Sequence, residues 1–169
     1  FQIGELCFET IRVTLLNTGH LTGIYGRRDG TDYNYSYLCE KEIKVPGFGF
    51  GEYPKVGDSV YFCANALPEP GEELILYIHV ADRYNRNDFP EKGRNTFAQM
   101  KWECYTEQGF VEVPVRDYSN CFLMSGEVRI RLPQEAAALY EELETPAYVI
   151  RATLTRADYD VRPKLIEVQ

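Results

Sequence analysis

Side chains that could do chemistry are few in this chain and stand apart from one another. The two histidines are His20, in a Gly/Thr-rich segment, and His79, between Ile78 and Val80. A histidine acts as a base or a ligand only where partners lie within hydrogen-bond reach. The sequence context predicts that His79 packs across strands and that His20 is solvated. The chain has no nucleophile elbow, phosphate-binding loop or dinucleotide fingerprint.

The cysteines predict neither a metal site nor a disulfide framework. There are five, Cys7, Cys39, Cys63, Cys104 and Cys121, with wide spacings and no C-x-x-C. Cys63 and Cys104 lie in strand-like runs, where we expect small buried apolar residues. This usage is typical of a reducing cytoplasm. A cysteine-dependent hydrolase stays open as a third alternative, without a local signature to support it.

Acidic residues also give no clear catalytic pair. Asp29, Asp32 and Asn34 loosely resemble a calcium loop, but their spacing departs from the EF-hand pattern. Glu72-Glu73 and Glu141-Glu142 are typical of solvated charges at a strand end and on a helix. We therefore expect no cofactor, no metal and no catalytic residues.

Length and charge restrict the partners. The chain has 169 residues and a net charge of −8, with 18 basic residues dispersed among 26 acidic ones. Nucleic-acid binding needs clustered Lys and Arg, so we expect no nucleic acid. No segment approaches the roughly 18 apolar residues of a membrane span. The chain begins at Phe1 and contains only Met100 and Met124 as methionines, so we expect either a processed chain or a domain excised from a longer polypeptide.

Strand patterns run along most of the chain. In the hairpin around Gly109 and in the strand after Ser125-Gly126, polar and apolar residues alternate, as in a sheet with one solvated face. Val128, Ile130 and Leu132 should face the core. The predicted strands are Glu5–Leu16, Asp58–Ala66, Glu73–Ala81, Lys101–Thr106, Phe110–Val115, the strand after Ser125-Gly126, Ala147–Leu154 and Asp160–Val168.

One helix is predicted, over Gln134–Glu144. Pro133 suits its first turn, and Ala136, Leu139, Tyr140 and Leu143 would form one apolar face. Six to eight strands with one short helix predict an all-β fold, an antiparallel, jelly-roll-like β-sandwich.

Two segments are candidates for contacts with other molecules. Asn17–Tyr37 is rich in glycine and tyrosine and predicts a long loop or an irregular hairpin, and Asp82–Thr96 predicts a long polar loop. Aromatic side chains on a β-sandwich can stack on sugars or form the hot spots of a protein interface. The candidate contact residues are Tyr33, Tyr35, Tyr37, Tyr84 and Arg86.

Five elements in order resemble a known family. They are Phe50-Gly51-Glu52 before Gly57-Asp58 and Tyr61; ELILYIHV; Trp102-Glu103-Cys104-Tyr105 with Gly109-Phe110; Ser125-Gly126-x-Val128 in a strand that ends in proline; and Tyr148-x-Ile150-Arg151-Ala152 with a downstream proline. Together these elements resemble an internal domain of baseplate assembly proteins (baseplate J-like) of phage tails and tail-like contractile injection systems. The chain departs from the pattern at Cys104, where an aromatic is commoner, and at Val149, where the family often has Trp.

The resemblance covers residues 48–169 and implies a β-sandwich with a structural role and no catalytic residues. It implies other baseplate or tail proteins as partners, and a place in the bacterial cytoplasm or in an assembled particle. Residues 1–47 match no part of the pattern, and we expect them to pack on the main domain as a strand plus a Gly/Tyr-rich loop. The alternative function is that of a carbohydrate-binding β-sandwich module.

Overall fold

The computed structural model describes residues 20–36, 50, 53–69, 71–80, 98–122, 124–136, 138–142, 146–158 and 165–168. Within these ranges the chain forms strands and no α-helix. A helix long and apolar enough to cross a membrane is therefore absent from the described residues. The strands are β1 Leu21–Arg28, β2 Thr31–Asn34, β3 Ser59–Ala64, β4 Glu73–Val80, β5 Gln99–Thr106, β6 Gly109–Glu112, β7 Val115–Asp117, β8 Gly126–Arg131, β9 Tyr148–Arg156 and β10 Leu165–Val168.

The strands form two antiparallel sheets that share one core. The six-stranded sheet has the order β2-β1-β3-β9-β5-β6, and the four-stranded sheet has the order β10-β4-β8-β7. Buried side chains of both sheets, such as Ile150 and Ile130, belong to the same hydrophobic cluster. The predicted all-β, antiparallel sandwich class is confirmed.

Alternation decides which side chains enter the core. In β8, Val128 and Ile130 are buried, while Glu127 and Arg129 point to the outer side, as predicted. β3 is an exception because all of its residues are buried. It lies between β1 and β9, and its outward residues are covered by a second cluster on the outer face of the six-stranded sheet.

The Gly/Tyr-rich segment near the N-terminus contains a regular hairpin. Asp29 and Gly30 both have positive φ, which is the backbone of a tight two-residue turn between β1 and β2. Because β1 also pairs with β3, this hairpin is an integral part of the six-stranded sheet. Two other predicted segments, the strand Glu5–Leu16 and the loop Asp82–Thr96, lie outside the described residues.

The helix predicted over Gln134–Glu144 is wrong for the described residues of that range. The backbone amide of Tyr140 donates to the carbonyl of Ala147 at 2.8 Å, in an isolated antiparallel bridge. Ala136 is buried in the main core, Tyr140 is buried in the outer cluster, and Leu139 is 45% exposed. Burial of Ala136 and Tyr140 in two different clusters outweighs the helical propensity of the segment.

The strand predicted over Phe110–Val115 also needs a correction, because this run changes sheets. The amide of Val113 still donates to the carbonyl of Trp102 in β5 at 2.9 Å. The carbonyl of Pro114 already accepts from Arg131 in β8 at 3.0 Å. Proline lacks a backbone donor and interrupts a ladder, so the strand divides into β6 and β7 at this point.

Four aromatic rings meet at the centre of the core. Phe122 stacks on Phe50 at a centroid distance of 5.4 Å and packs edge-on against Trp102 at 5.8 Å and Phe62 at 6.1 Å. Its side chain has no exposed surface. Offset and edge-on pairs of this kind add about 0.5–1.5 kcal/mol each to the burial of the rings.

A turn with left-handed backbone conformation positions Phe122 in this core. Asn120, Cys121 and Phe122 have φ of 53°, 58° and 62°, a conformation that L-residues adopt at a cost. The carboxylate of Asp117 accepts from the amide of Ser119 at 2.7 Å and from the amide of Cys121 at 3.0 Å. The Ser119 hydroxyl in turn accepts from the amide of Phe122 at 3.1 Å. Three backbone donors of the turn are thereby satisfied.

The backbone before this turn packs against Gly126, and this contact leads to a first prediction. A Cβ built at Gly126 would lie 2.4 Å from the carbonyl oxygen of Tyr118, which is backbone and cannot rotate away. We expect Gly126→Ala to lower the free energy of unfolding by about 1–3 kcal/mol, as overpacking does. Urea denaturation measures the loss. Met124→Ala, an exposed change in the same turn, should stay within about 0.5 kcal/mol of the wild type; equal stability of Gly126→Ala and the wild type would contradict the packing described.

Candidate functional site

The outer face of the six-stranded sheet carries a compact aromatic cluster. Tyr61, Tyr105, Phe110 and Tyr140 pack mainly edge-to-face, with centroid distances from 4.9 to 6.0 Å. β3, β5 and β6 position three of these rings, and the segment before β9 lays Tyr140 across them. Because Tyr61 and Tyr140 are about 95% buried, this cluster is a second small core rather than an open platform.

A row of ion pairs crosses the same face. Arg151 of β9 lies opposite Glu103 of β5 in the sheet register, and its guanidinium donates to the Glu103 carboxylate at 2.8 and 2.9 Å. Lys101 donates to the other carboxylate oxygen at 2.9 Å. The Arg151 guanidinium also lies 3.8 Å from the ring centroid of Phe110. Glu103 is therefore neutralised by two cations in a nearly dry site.

Burial and hydrogen bonding raise the pKa of Tyr140, which lies across the other rings of the cluster. Burial, followed by a hydrogen bond from its hydroxyl to the Glu142 carboxylate, raises the pKa of Tyr140 to about 12. A phenol with this pKa stays neutral at physiological pH. The Tyr140 hydroxyl therefore donates a hydrogen bond to Glu142 and does not act as a phenolate base.

Two of the predicted contact residues lie around Arg28 at the edge of this sheet. The Arg28 guanidinium is 3.5 Å from the ring centroid of Tyr33 and donates to the Tyr35 hydroxyl at 3.1 Å. Tyr33 is 40% exposed, whereas Tyr35 packs, partly buried, against the main core. Tyr35, one of the candidate contact residues, therefore packs largely within this domain. Tyr37, Tyr84 and Arg86 lie outside the described residues.

The residues that loosely resembled a calcium loop are committed to other partners. Asp32 forms a bidentate pair with Arg27 at 2.6 and 2.9 Å, and Asp29 pairs with Lys55 at 3.1 Å. The Asn34 side chain accepts from the amide of Ser36. In the described part of the chain, no group of three or more His, Cys, Asp or Glu side chains is arranged to hold a metal ion.

The exposed position of His20 agrees with its prediction, whereas the described ring contact of His79 lies within its own strand and not across strands. The His79 ring packs on Tyr77, two residues before it in β4, at a centroid distance of 4.6 Å. His20 is exposed, and its backbone amide donates to the Asn65 side chain at 2.9 Å. His79 thus packs on the outer face of the four-stranded sheet.

Two cysteines have environments that disfavour the reactive thiolate. Burial raises the pKa of the Cys104 thiol to about 12, and burial together with the nearby Asp117 carboxylate raises that of Cys121 to about 12. Cys63 and Cys104 are buried, as predicted. A thiol serves as nucleophile through its thiolate, and these two sites suppress it.

A shallow groove of about 230 Å³ lies beside the loop after β3. Its lining includes Asn65, Leu67, Pro68, Glu69, Ala136 and Tyr148. Most of the described lining is apolar, and Glu69 is the one carboxylate among the described lining residues. These residues therefore offer no carboxylate pair for acid/base chemistry.

Sequence reasoning missed the partners of three arginines. Arg27, Arg28 and Arg151 each lie over a tyrosine or phenylalanine ring, in pairings that join residues from 5 to 90 positions apart. Alternation along β9, where Ile150 and Ala152 face the core, could have placed Arg151 on the outer face. What it contacts depends on strand order, which alternation does not reveal.

No protein-family model matches this chain, and no curated protein sequence is significantly similar to it.

The paired charges of the outer face give a second prediction. Glu103→Gln would leave Arg151 and Lys101 without their carboxylate in a site where Glu103 is 6% exposed. We expect a loss of about 3 kcal/mol in the free energy of unfolding. The matched control is Asp158→Asn, which breaks an exposed pair with Arg156 and should cost less than about 1 kcal/mol. Similar losses in the two variants would contradict the low-dielectric environment assigned to Glu103.

The thiols give a third prediction. A group with a pKa of about 12 is roughly one part in ten thousand thiolate at pH 8, so alkylation should be slow. We expect iodoacetamide to leave Cys104 and Cys121 unmodified in the folded protein and to modify both in urea, as read by peptide mass spectrometry. Rapid modification of either residue in the folded state would overturn this description and revive the cysteine-dependent alternative.

Proposed function

We propose that this chain is a structural, non-enzymatic domain of a phage-tail-like baseplate assembly protein, and that it acts through protein–protein contacts. The observation that carries the proposal is the ordered set of five sequence elements between residues 48 and 169. A single element of this kind is common among β-sandwiches, whereas five in order are a more specific pattern.

The positions of these elements in the structure support the proposal. Phe50 and Trp102 belong to the aromatic core, and Ile150 and Ala152 face that core from β9. The backbone carbonyl of Tyr118 lies so close to Gly126 that a Cβ atom at this position would be 2.4 Å from its oxygen. The characteristic residues of the pattern therefore build the scaffold, as expected of elements retained for architecture.

The exposed surface of the described residues supports a contact role. Arginine and tyrosine are enriched in protein interfaces and at their hot spots. Here the exposed Tyr33 ring is held by Arg28, and Tyr118 is 56% exposed beside β8. Pre-positioned rings of this kind lose little conformational freedom on binding.

Carbohydrate binding remains the alternative function, because the exposed Tyr33 ring could stack on a sugar. Two observations favour the protein partner. Arg28 already covers one face of the Tyr33 ring, and Arg151 lies over the Phe110 ring. The remaining aromatics of the outer face meet mostly edge-to-face, so they offer no flat platform.

The test of the proposed function is the location of the parent protein. We expect it to co-purify with a tail-like particle, to be found in that particle by mass spectrometry and imaging, and to be required for its assembly. A particle that forms normally without the parent protein, from which the protein also purifies away, would contradict the proposal.

A glycan array separates the two candidate functions. We expect the wild-type chain to bind no glycan on a broad array. Binding that is lost in Tyr33→Ala and retained in Tyr53→Ala, a control at another exposed tyrosine, would favour the carbohydrate-binding module instead.

A further inference from the structure

One part of the outer face of the four-stranded sheet differs in charge from the chain as a whole. It lies along β8 and the adjoining ends of β4 and β7, and its residues are Glu73, Arg116, Tyr118, Glu127, Arg129 and Arg131, hereafter the arginine face. Alternation along β4, β7 and β8 directs the five charged residues away from the core, because Leu74, Val115, Val128 and Ile130 point inward. Tyr118 follows directly after β7 and is 56% exposed. Three arginines against two carboxylates leave an excess positive charge on a chain whose net charge is −8.

The pairing within the arginine face is incomplete. Arg116 and Arg129 lie directly opposite each other in the register, an arrangement that is unfavourable for like charges. Glu73 sits between them, 2.5 Å from Arg116 and 4.0 Å from Arg129. Glu127 pairs with Arg129 at 2.8 Å. One carboxylate therefore serves two guanidinium groups.

Within the described part of the chain, no carboxylate is paired with Arg131. It lies opposite Glu73 in the register, but the Glu73 carboxylate is engaged by Arg116. Among the described residues, Arg131 makes no ion pair within 4.0 Å, and it is exposed. An incoming carboxylate could thus bind Arg131 in the bidentate geometry that arginine favours, without breaking an existing pair.

Tyr118 adds a fixed aromatic side chain at the border of this face. It is 56% exposed, and its amide donates to the carbonyl of Glu127 at 2.8 Å. It stands at the start of the left-handed turn, whose backbone is held by Asp117. A tyrosine on a rigid backbone beside arginines has the composition of an interface hot spot.

The mixture of charges indicates which class of partner fits. A phosphate backbone would be repelled by Glu73 and Glu127 within the face and by the net charge of −8. A protein surface can place carboxylates opposite the arginines and apolar atoms opposite Tyr118 at the same time. Charge complementarity therefore favours an acidic protein surface.

We propose that the arginine face is the surface by which this domain binds a neighbouring protein, and that the neighbour presents carboxylates opposite Arg116 and Arg131. This inference rests on the proposed function, because it names the contact surface of the proposed assembly domain. The occupant is a different polypeptide, since two copies stacked through this face would set two surfaces with the same excess positive charge against each other.

The test uses the assembled particle with the full parent protein carrying Arg131→Lys. This change keeps the positive charge and supplies an amine that a carbodiimide joins to a carboxylate in direct contact. We expect mass spectrometry to find an amide bond from position 131 to an aspartate or glutamate of another polypeptide. Arg156→Lys is the matched control, since Arg156 already faces Asp158 within the chain at 2.7 Å and should give no cross-link between polypeptides.

Each outcome of this experiment decides a different point. Presence of the chain in the particle without an intermolecular cross-link at position 131 would overturn the inference and leave the proposed function standing. A cross-link to a second copy of this chain would overturn the choice of partner and with it the inference. Absence of the wild-type chain from the particle would overturn the proposed function and the inference together.

A second measurement covers the case in which the Arg131→Lys variant does not assemble. In the wild-type particle, Arg131 should lose most of the reactivity toward phenylglyoxal that it has in the free parent protein, because the partner covers it. Arg156 should keep its reactivity. Equal modification of Arg131 in the particle and in the free protein would contradict the inference.

Discussion

The structure depends on a strained turn that is held by one carboxylate. Asn120, Cys121 and Phe122 adopt consecutive left-handed conformations, at a cost of about 1–2 kcal/mol per residue. Burial of the Phe122 side chain contributes about 1.5–3 kcal/mol, which alone does not offset that cost. Hydrogen bonds from the turn to the Asp117 carboxylate, about 1.5–3 kcal/mol each, supply the difference.

The same turn connects the interior to the surface. On its inner side it places Phe122 against Phe50 and Trp102, where the two sheets meet. On its outer side it fixes the backbone of Tyr118 beside the four-stranded sheet. Packing of the core thereby positions Tyr118, which lies at the border of the arginine face. In a scaffold domain, this one turn would then contribute both to stability and to the geometry of the contact surface.

The sequence predicted those parts of the fold that depend on local patterns. Alternation placed Val128 and Ile130 inward and Arg129 outward, and burial of Cys104 followed from its strand context. Local sequence patterns gave wrong predictions where long-range packing determines the structure of a segment. Tyr140 and Ala136 showed helical spacing, yet they are buried in two separate clusters.

The candidate sites were harder to predict for the same reason. The arginine face depends on the register that sets Arg116 opposite Arg129, and the outer cluster depends on β5 lying beside β9. Neither strand order nor register can be read from periodicity when several strands share one pattern. The left-handed turn gave no signal because Asn120, Cys121 and Phe122 include no glycine, and Asp117 acts from outside the turn.

A double-mutant cycle between Asp117 and Phe122 tests most directly whether the carboxylate positions the core aromatic. The free energy of unfolding would be measured for the wild type, Asp117→Ala, Phe122→Leu and the double variant. If Asp117 acts by holding Phe122 in place, the double variant should lose about 1 kcal/mol less than the sum of the single losses, since coupled residues are not additive. Losses that add within about 0.3 kcal/mol would show that the two residues act independently and would contradict the account.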